Sequence, residues 1–179
     1  MTDARVAAER LVEIVGKRAE AEATVAVGRA ELTRFANSFI HQNVGEEYVN
    51  VRLRVAAGGR VATVTGNRAD DAALTKLAED ALVVAATQPV DEDWAGLSAP
   101  TTIAPADFSH KSTTSATPAG RAAAVKSFVG AGDGLLAAGF CDTDSFETAF
   151  ANSLGHRASA RGSRATIDGI HQTGESAGS

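Results

Sequence analysis

Apolar positions along this chain recur in two rhythms. Ala7, Ala8, Leu11, Val12, Ile14 and Val15 fall on one helical face, so residues 3–20 predict a helix capped by Thr2 or Asp3. Ala23–Val27 turns to short β-type residues, and Leu32, Phe35, Phe39 and Ile40 follow among polar ones. Val49, Val51, Leu53 and Val55 then alternate with Asn50, Arg52 and Arg54, the period of a half-buried strand. Gly58-Gly59 predicts a tight turn, and Val61, Thr63 and Thr65 alternate on the way back. Leu74, Leu77, Ala78, Ala81, Leu82 and Ala85 predict a helix over 70–86, capped by Asn67 or Asp70 and ended at Gln88-Pro89.

Residues 88–116 change character. Pro89, Pro100 and Pro105 sit among Ser and Thr, which predicts an extended surface connector anchored by Trp94, Leu97 and Phe108. Thr117-Pro118 opens another helix, with Val125, Phe128 and Val129 facing inward and Gly130 or Gly132 closing it. Strand-like segments follow at 134–141, 145–153 and 157–167.

A repeat runs through this pattern. Phe35-Ala36-Asn37-Ser38 recurs as Phe150-Ala151-Asn152-Ser153, and His41 falls on His156 at the same spacing. Both copies follow a helix. The expected architecture is α+β: an antiparallel β-sheet with helices packed on one face, built from two related α-β-β-β halves. The first half is 1–87, the connector 88–116 and the second half 117–179. Shifted by the repeat, the Gly58-Gly59 turn lands on Thr173-Gly174, and the last strand would run past Ser179. The expectation is a single N-terminal domain of a longer protein. The rival register places a hairpin turn at Asp168-Gly169.

Composition narrows the function classes. The net charge of −5 argues against non-specific nucleic-acid binding, and 5% aromatics argue against base-stacking platforms. The lone Cys141 requires no oxidising compartment. No apolar run approaches the roughly 18–20 residues that span a bilayer, and Met1–Val15 has no signal-peptide core. The expected location is cytoplasmic, with no membrane and no nucleic acid among the partners.

Few residues suggest chemistry. His41 and His156 occupy equivalent repeat positions and form a candidate ligand or peptide-binding pair. Zinc would need about three protein ligands, and only Cys141, Glu46 and Glu47 offer themselves as extras. The plainer expectation is that each histidine ends a strand and bonds backbone. Asn37 and Asn152 are candidate substrate positions, or turn residues, since asparagine tolerates left-handed backbone. Arg157, Arg161 and Arg164 read as a solvated strand face. Asp91, Glu92 and Asp93 have nothing to bury and tune them. Gly130-Ala131-Gly132-Asp133-Gly134 follows a helix and lacks the G-x-G-x-x-G spacing, so it reads as a helix end. Cys141 reads as a small core residue. No catalytic or metal residue is assigned.

Glu31-Leu32-Thr33-Arg34-Phe35-Ala36-Asn37-Ser38-Phe39-Ile40-His41-Gln42, the Val49–Val55 alternation, Gly58-Gly59-Arg60-Val61 and the 70–86 helix resemble the N-terminal domain of the TldD/PmbA family. These are cytoplasmic zinc metallopeptidases and their paired subunits, also called modulators of DNA gyrase. Phe150-Ala151-Asn152-Ser153-Leu154-Gly155 resembles the family's F-x-N-S-x-G stretch. The resemblance covers nearly the whole chain and leans to the zinc-free, PmbA/TldE-like subunit. It implies a separate C-terminal domain, where the active subunit holds zinc with a His-Glu-x-x-x-His helix and a distant cysteine. That pattern does not occur in this sequence, so no cofactor is expected in this chain. What the resemblance implies is a non-catalytic domain that shapes a peptide-substrate chamber and contacts a TldD-like subunit or self-associates. A sheet edge would hold an extended peptide by strand addition. The alternative is a stand-alone interaction module, gyrase- or antitoxin-related, without protease activity. A third is an enzyme built on the duplicated histidines.

Overall fold

The structure, a computed structural model, describes residues 2–178. Helix α1 is Ala4–Val15, followed by a short 3-10 turn over Gly16–Arg18. Strands β1 (Glu20–Ala36), β2 (Phe39–Ala57) and β3 (Arg60–Gly66) lead into helix α2 (Asp71–Thr87). The connector holds strand β4 (Ala106–Phe108) and the one-turn helix α3 (Lys111–Thr114). Helix α4 (Pro118–Ala131) precedes strands β5 (Leu136–Asn152), β6 (Arg157–Gln172) and β7 (Ala177–Gly178).

The strands form one seven-stranded sheet in the order β3-β2-β1-β5-β6-β4, with β7 also pairing with β6. The repeat is written into that order. From the β1/β5 seam outward, each half lays down its first, second and third strand in turn. The fold is α+β, with the two α-β-β-β halves the repeat predicts.

Local chemistry fixes most boundaries. Asp3 caps α1 by accepting from the Arg5 and Val6 amides, and Asp70 caps α2 by accepting from Ala73. Thr117 caps α4 by accepting from Gly120, with Pro118 at the first helical position. The helix expected over 3–20 stops at Val15, because Gly16 takes φ 60° and breaks the helical ladder. Gly58 and Gly59, at φ 57° and 75°, form the two-residue β2–β3 turn, and Ala57 pairs with Arg60. The later turn follows Gln172, where the repeat puts it, but it is two residues longer than the repeat register requires: Gln172 pairs with Ala177 rather than Glu175, and His171 with Gly178. Asp168-Gly169 is interior to β6. The predicted end of the last strand, at and past Ser179, lies outside the described residues.

Two expectations are corrected. The segments 134–141 and 145–153 are one strand, β5. Its polar centre, Asp142-Thr143-Asp144, looks like a break in sequence, but Thr143 points inward to a buried arginine. Phe108 anchors nothing, being 75% exposed. Trp94 does anchor the connector: its Nε1–H donates to Glu20 Oε2 at 2.7 Å, and the Arg54 guanidinium lies 5.1 Å from its ring centre.

The chain divides into two compact units. Unit 1 comprises Met1–Val27, Tyr48–Asp107 and Glu147–Arg161. In it α1 and α2 pack together, and their buried faces meet Ala21, Ala23, Val25, Val27, Val51, Leu53 and Val55. Every one of those strand positions is odd-numbered, so a single sheet face is covered. Unit 2 comprises Gly28–Glu47, Phe108–Phe146 and Gly162–Ser179. Its smaller core is Phe35, Val125, Ala137 and Cys141, with Ala124, Phe128 and Val129 packed against it.

Candidate functional site

The duplicated tetrapeptide marks two turns, and its serines explain the duplication. Ser38 N–H donates to Ala137 O at 2.9 Å, and Ala137 N–H donates to Ser38 Oγ at 3.0 Å. Ser153 N–H donates to Ala21 O at 2.8 Å, and Ala21 N–H donates to Ser153 Oγ at 3.1 Å. Each serine thus closes the start of the other half's first strand with the same reciprocal pair. The motif is structural: it satisfies strand ends that would otherwise leave polar backbone unpaired.

The asparagines differ. Asn37 and Ser38 take φ 51° and 64°, forming a two-residue hairpin between β1 and β2. Asn152 is fully buried and shapes a longer turn with its side chain. Its Oδ1 accepts from Leu154 and His156 amides, and its Nδ2 donates to Ser98 O at 2.8 Å. The histidines part in the same way. His41 is exposed on β2, and its ring makes no hydrogen bond among the described residues. His156 precedes β6, with Nδ1 3.0 Å from Ser98 Oγ and Nε2 3.3 Å from Thr101 Oγ1. Its ring also meets Phe150 edge-on at 5.6 Å. The expectation that both rings bond backbone is therefore corrected: one ring is bare, and the other bonds hydroxyls of the connector.

The three arginines of β6 are each answered by a carboxylate: Arg157 by Glu9 at 3.1 Å, Arg161 by Asp107 at 3.6 Å and Arg164 by Asp142 at 3.4 Å. Such exposed pairs contribute little. Cys141 is buried, and burial pushes its thiol above the ordinary range, which keeps it protonated. Asp91, Glu92 and Asp93 are exposed. Among the described residues, no group of three or more His, Cys, Asp or Glu side chains is placed to hold a metal ion. The family resemblance places its zinc in a separate C-terminal domain, and the described residues offer it no donor set. Among the described residues no helix is long and apolar enough to cross a membrane.

The most organised polar centre was not anticipated from the sequence. Arg121, 2% exposed, reaches into unit 2 from the first turn of α4. Nη1 donates to Glu31 Oε2 at 2.9 Å and to Thr143 Oγ1 at 3.2 Å. Nε donates to Thr33 Oγ1 at 3.3 Å, and Nη2 reaches Asn43 Oδ1 at 3.4 Å. Thr33 Oγ1 donates to Asn43 Oδ1 at 2.8 Å, and Arg29 holds the other oxygen of Glu31 at 2.7 Å. A signal did exist. Arg121 precedes Val125 by four residues and Phe128 by seven, which puts it on the buried face of the helix. Its partners are saturated by one another, so the arrangement holds β1, β2, β5 and α4 together; it offers no nucleophile or base.

The fold defines a class: a paired α-β-β-β sheet domain whose halves meet at their first strands. Solved structures of that class match nearly the whole chain. One is TldE from Thermococcus kodakarensis, 17% identical with a TM-score of 0.83, covering 96% of this chain and 40% of that one. A second is a candidate modulator of DNA gyrase from Bacteroides thetaiotaomicron, 11% identical with a TM-score of 0.81, covering 96% and 42%. A third is a candidate modulator of a DNA gyrase from Thermotoga maritima, 13% identical with a TM-score of 0.64, covering 94% and 40%. The chain therefore spans about two fifths of the length of the structures it matches. The likeness is one of fold, and it falls on the proteins to which Glu31–Gln42 and Phe150–Gly155 pointed. No family model and no curated protein sequence matches the chain.

Proposed function

We propose that this chain is a non-catalytic N-terminal domain of a TldD/PmbA-type metallopeptidase system, of the PmbA/TldE kind. The observation that carries the reading is the likeness to TldE over 96% of the chain. In that role the domain shapes a chamber for small or unfolded peptides and contacts a TldD-like subunit, whose own C-terminal domain supplies the zinc. The setting is cytoplasmic. Sheet edges suit this role, because an extended peptide can bond to backbone without regard to its sequence.

The test has two parts. Tagged chain, expressed with a TldD-like subunit from the same genome, is expected to co-purify with it. The chain alone is expected to leave an unfolded substrate such as casein uncut, with or without added zinc. Zinc-dependent cleavage by the purified chain would overturn the proposal. So would a failure to retain the subunit when the chain is folded.

A further inference from the structure

The first stretch of β2, Phe39–Glu47, has β1 on one side. Among the described residues no strand lies on the other, because β3 pairs with β2 only from Val51 to Ala57. The only charged side chains on this open edge are Glu46 and Glu47, at its far end. The edge has no proline, lysine or arginine, and Phe39, Ile40 and Val44 are 58%, 39% and 46% exposed. A long edge of this kind is a template for another strand.

We propose that this edge pairs with the same edge of a second copy of the chain, antiparallel and centred on Val44. Two copies related by a twofold axis perpendicular to the sheet keep their faces aligned, so each residue must meet one of the same parity. Near the middle of the segment, three registers satisfy that condition. Centring on Asn43 sets Ile40 against Glu46 and Phe39 against Glu47. Centring on Gly45 sets Val44 against Glu46. Both place a carboxylate against an apolar neighbour. Centring on Val44 sets His41 against Glu47, Gln42 against Glu46, Asn43 against Gly45 and Val44 against itself.

That last register is complementary at every pair. An imidazole N–H faces a carboxylate. The Gln42 carbonyl already accepts from Arg34 at 3.3 Å, which leaves its amide N–H groups for Glu46 of the second copy. Glu46 and Glu47 have no ion-pair partner among the described residues. Asn43, already hydrogen-bonded to Thr33 and Arg121, meets only a glycine. The twofold repeats each unlike pair, and every edge backbone group gains a partner. The pairing needs only this chain, so it stands apart from the peptidase reading.

Cysteine substitutions in the full chain read the register directly. Cys141, the only native cysteine, is buried. Directly opposed cross-strand residues have Cβ atoms about 4.5–5.5 Å apart, close enough for oxidation to link them after slight adjustment. Val44→Cys is expected to oxidise to a covalent dimer. Gln42→Cys and Glu46→Cys are each expected to stay uncrosslinked alone and to link when mixed. By sedimentation equilibrium the unsubstituted chain should dimerise with concentration, and Val44→Lys should weaken association at least tenfold by setting two ammonium groups opposite each other. Circular dichroism checks folding, and if Val44→Lys unfolds, the cysteine set carries the test. A chain that stays monomeric at every concentration, with or without added extended peptide, overturns the proposal. So does a dimer that survives Val44→Lys in a folded chain. Either failure leaves the co-purification and cleavage results untouched.

Discussion

Unit 1 buries Leu11, Val15, Val25, Val51, Leu53, Val55 and Leu74 with α1 and α2; unit 2 buries Phe35, Val125, Ala137 and Cys141 with α4, together with a guanidinium. The difference can be placed on one helical position. Four residues after its cap Asp3, α1 has Ala7; four residues after its cap Thr117, α4 has Arg121. Eight residues after the caps both helices return to apolar core, Leu11 and Val125, each at most 2% exposed. The same scaffold is thus fastened by aliphatic packing in one unit and by a buried hydrogen-bond centre in the other. Packing tolerates volume-conserving change, whereas a buried charge tolerates only change that spares its partners.

The largest expected effect follows from that asymmetry. Arg121→Ala writes the α1 solution into α4 but takes a donor from Thr33 and Thr143 and leaves Glu31 to Arg29 alone. Breaking a buried ion pair by removing one partner costs about 3–5 kcal/mol. Urea unfolding should show a loss of that order, eased in the double variant Arg121→Met with Glu31→Gln, which removes the Glu31 charge. Leu11→Ala, the packing counterpart, should cost about 2–5 kcal/mol with no comparable rescue by a charge change. If Arg121→Ala were nearly neutral, the polar centre would not be what fastens unit 2.

A smaller effect separates the units by backbone spacing. Gly139 on β5 and Gly169 on β6 face one another beneath Phe35. A Cβ added at Gly139 would sit 2.6 Å from Gly169 Cα and 2.9 Å from Phe35 Cζ. Phe35 in turn packs on Phe128 at 5.4 Å, and Phe128 stacks on His171 at 4.5 Å. Small glycines here make room for aromatic rings that unit 1 does not use in its core. Gly139→Ala should therefore destabilise by about 1–3 kcal/mol, as overpacking does. Ala23→Gly in β1 tests the opposite change, and should loosen unit 1 by creating space.

These residues also show what the sequence reveals and what it hides. The β2–β3 hairpin was legible because Gly58-Gly59 and strict alternation agree, and α2 because its apolar stripe has a cap and a Gln-Pro stop. The repeat, read from four letters, locates the start of the last turn at Thr173 but not its length, since Gln172 pairs with Ala177. Gly169 invited a turn there because Asp-Gly is a turn signal, yet its role is close approach between strands. The continuity of β5 was hidden by Asp142-Thr143-Asp144, since polar runs read as loops until an inward partner is known. Arg121 was hidden for the same reason: the helical stripe contains it, but an arginine reads as surface until its carboxylate is placed. Of the candidate positions, Asn37 was read correctly as left-handed turn backbone. Nothing local distinguishes exposed His41 from the hydroxyl-bonded His156, because the Ser98 and Thr101 hydroxyls that His156 meets come from the connector.

The smallest expected effect turns on the caps. In unit 1 they are carboxylates. The Val6 amide, foremost, holds the Asp3 carboxyl below its ordinary range, and the Ala73 amide does the same for Asp70. In unit 2 the cap of α4 is Thr117, which does not titrate in this range. A carboxylate whose folded pKa is depressed contributes stability that is present above its unfolded value, the ordinary aspartate value of about 3.8, and lost as pH falls through the folded value. Acidification below about pH 4 should therefore fray the first turns of α1 and α2 while leaving that of α4 intact. Amide hydrogen exchange at Val6, Ala73 and Gly120 reads all three caps in one experiment. The first two should lose protection in acid relative to the third, after correction for intrinsic exchange. Asp3→Ser and Asp70→Ser should remove that pH dependence without removing the caps. Equal loss at Gly120 would mean that acid acts on the whole molecule rather than on the caps of one unit.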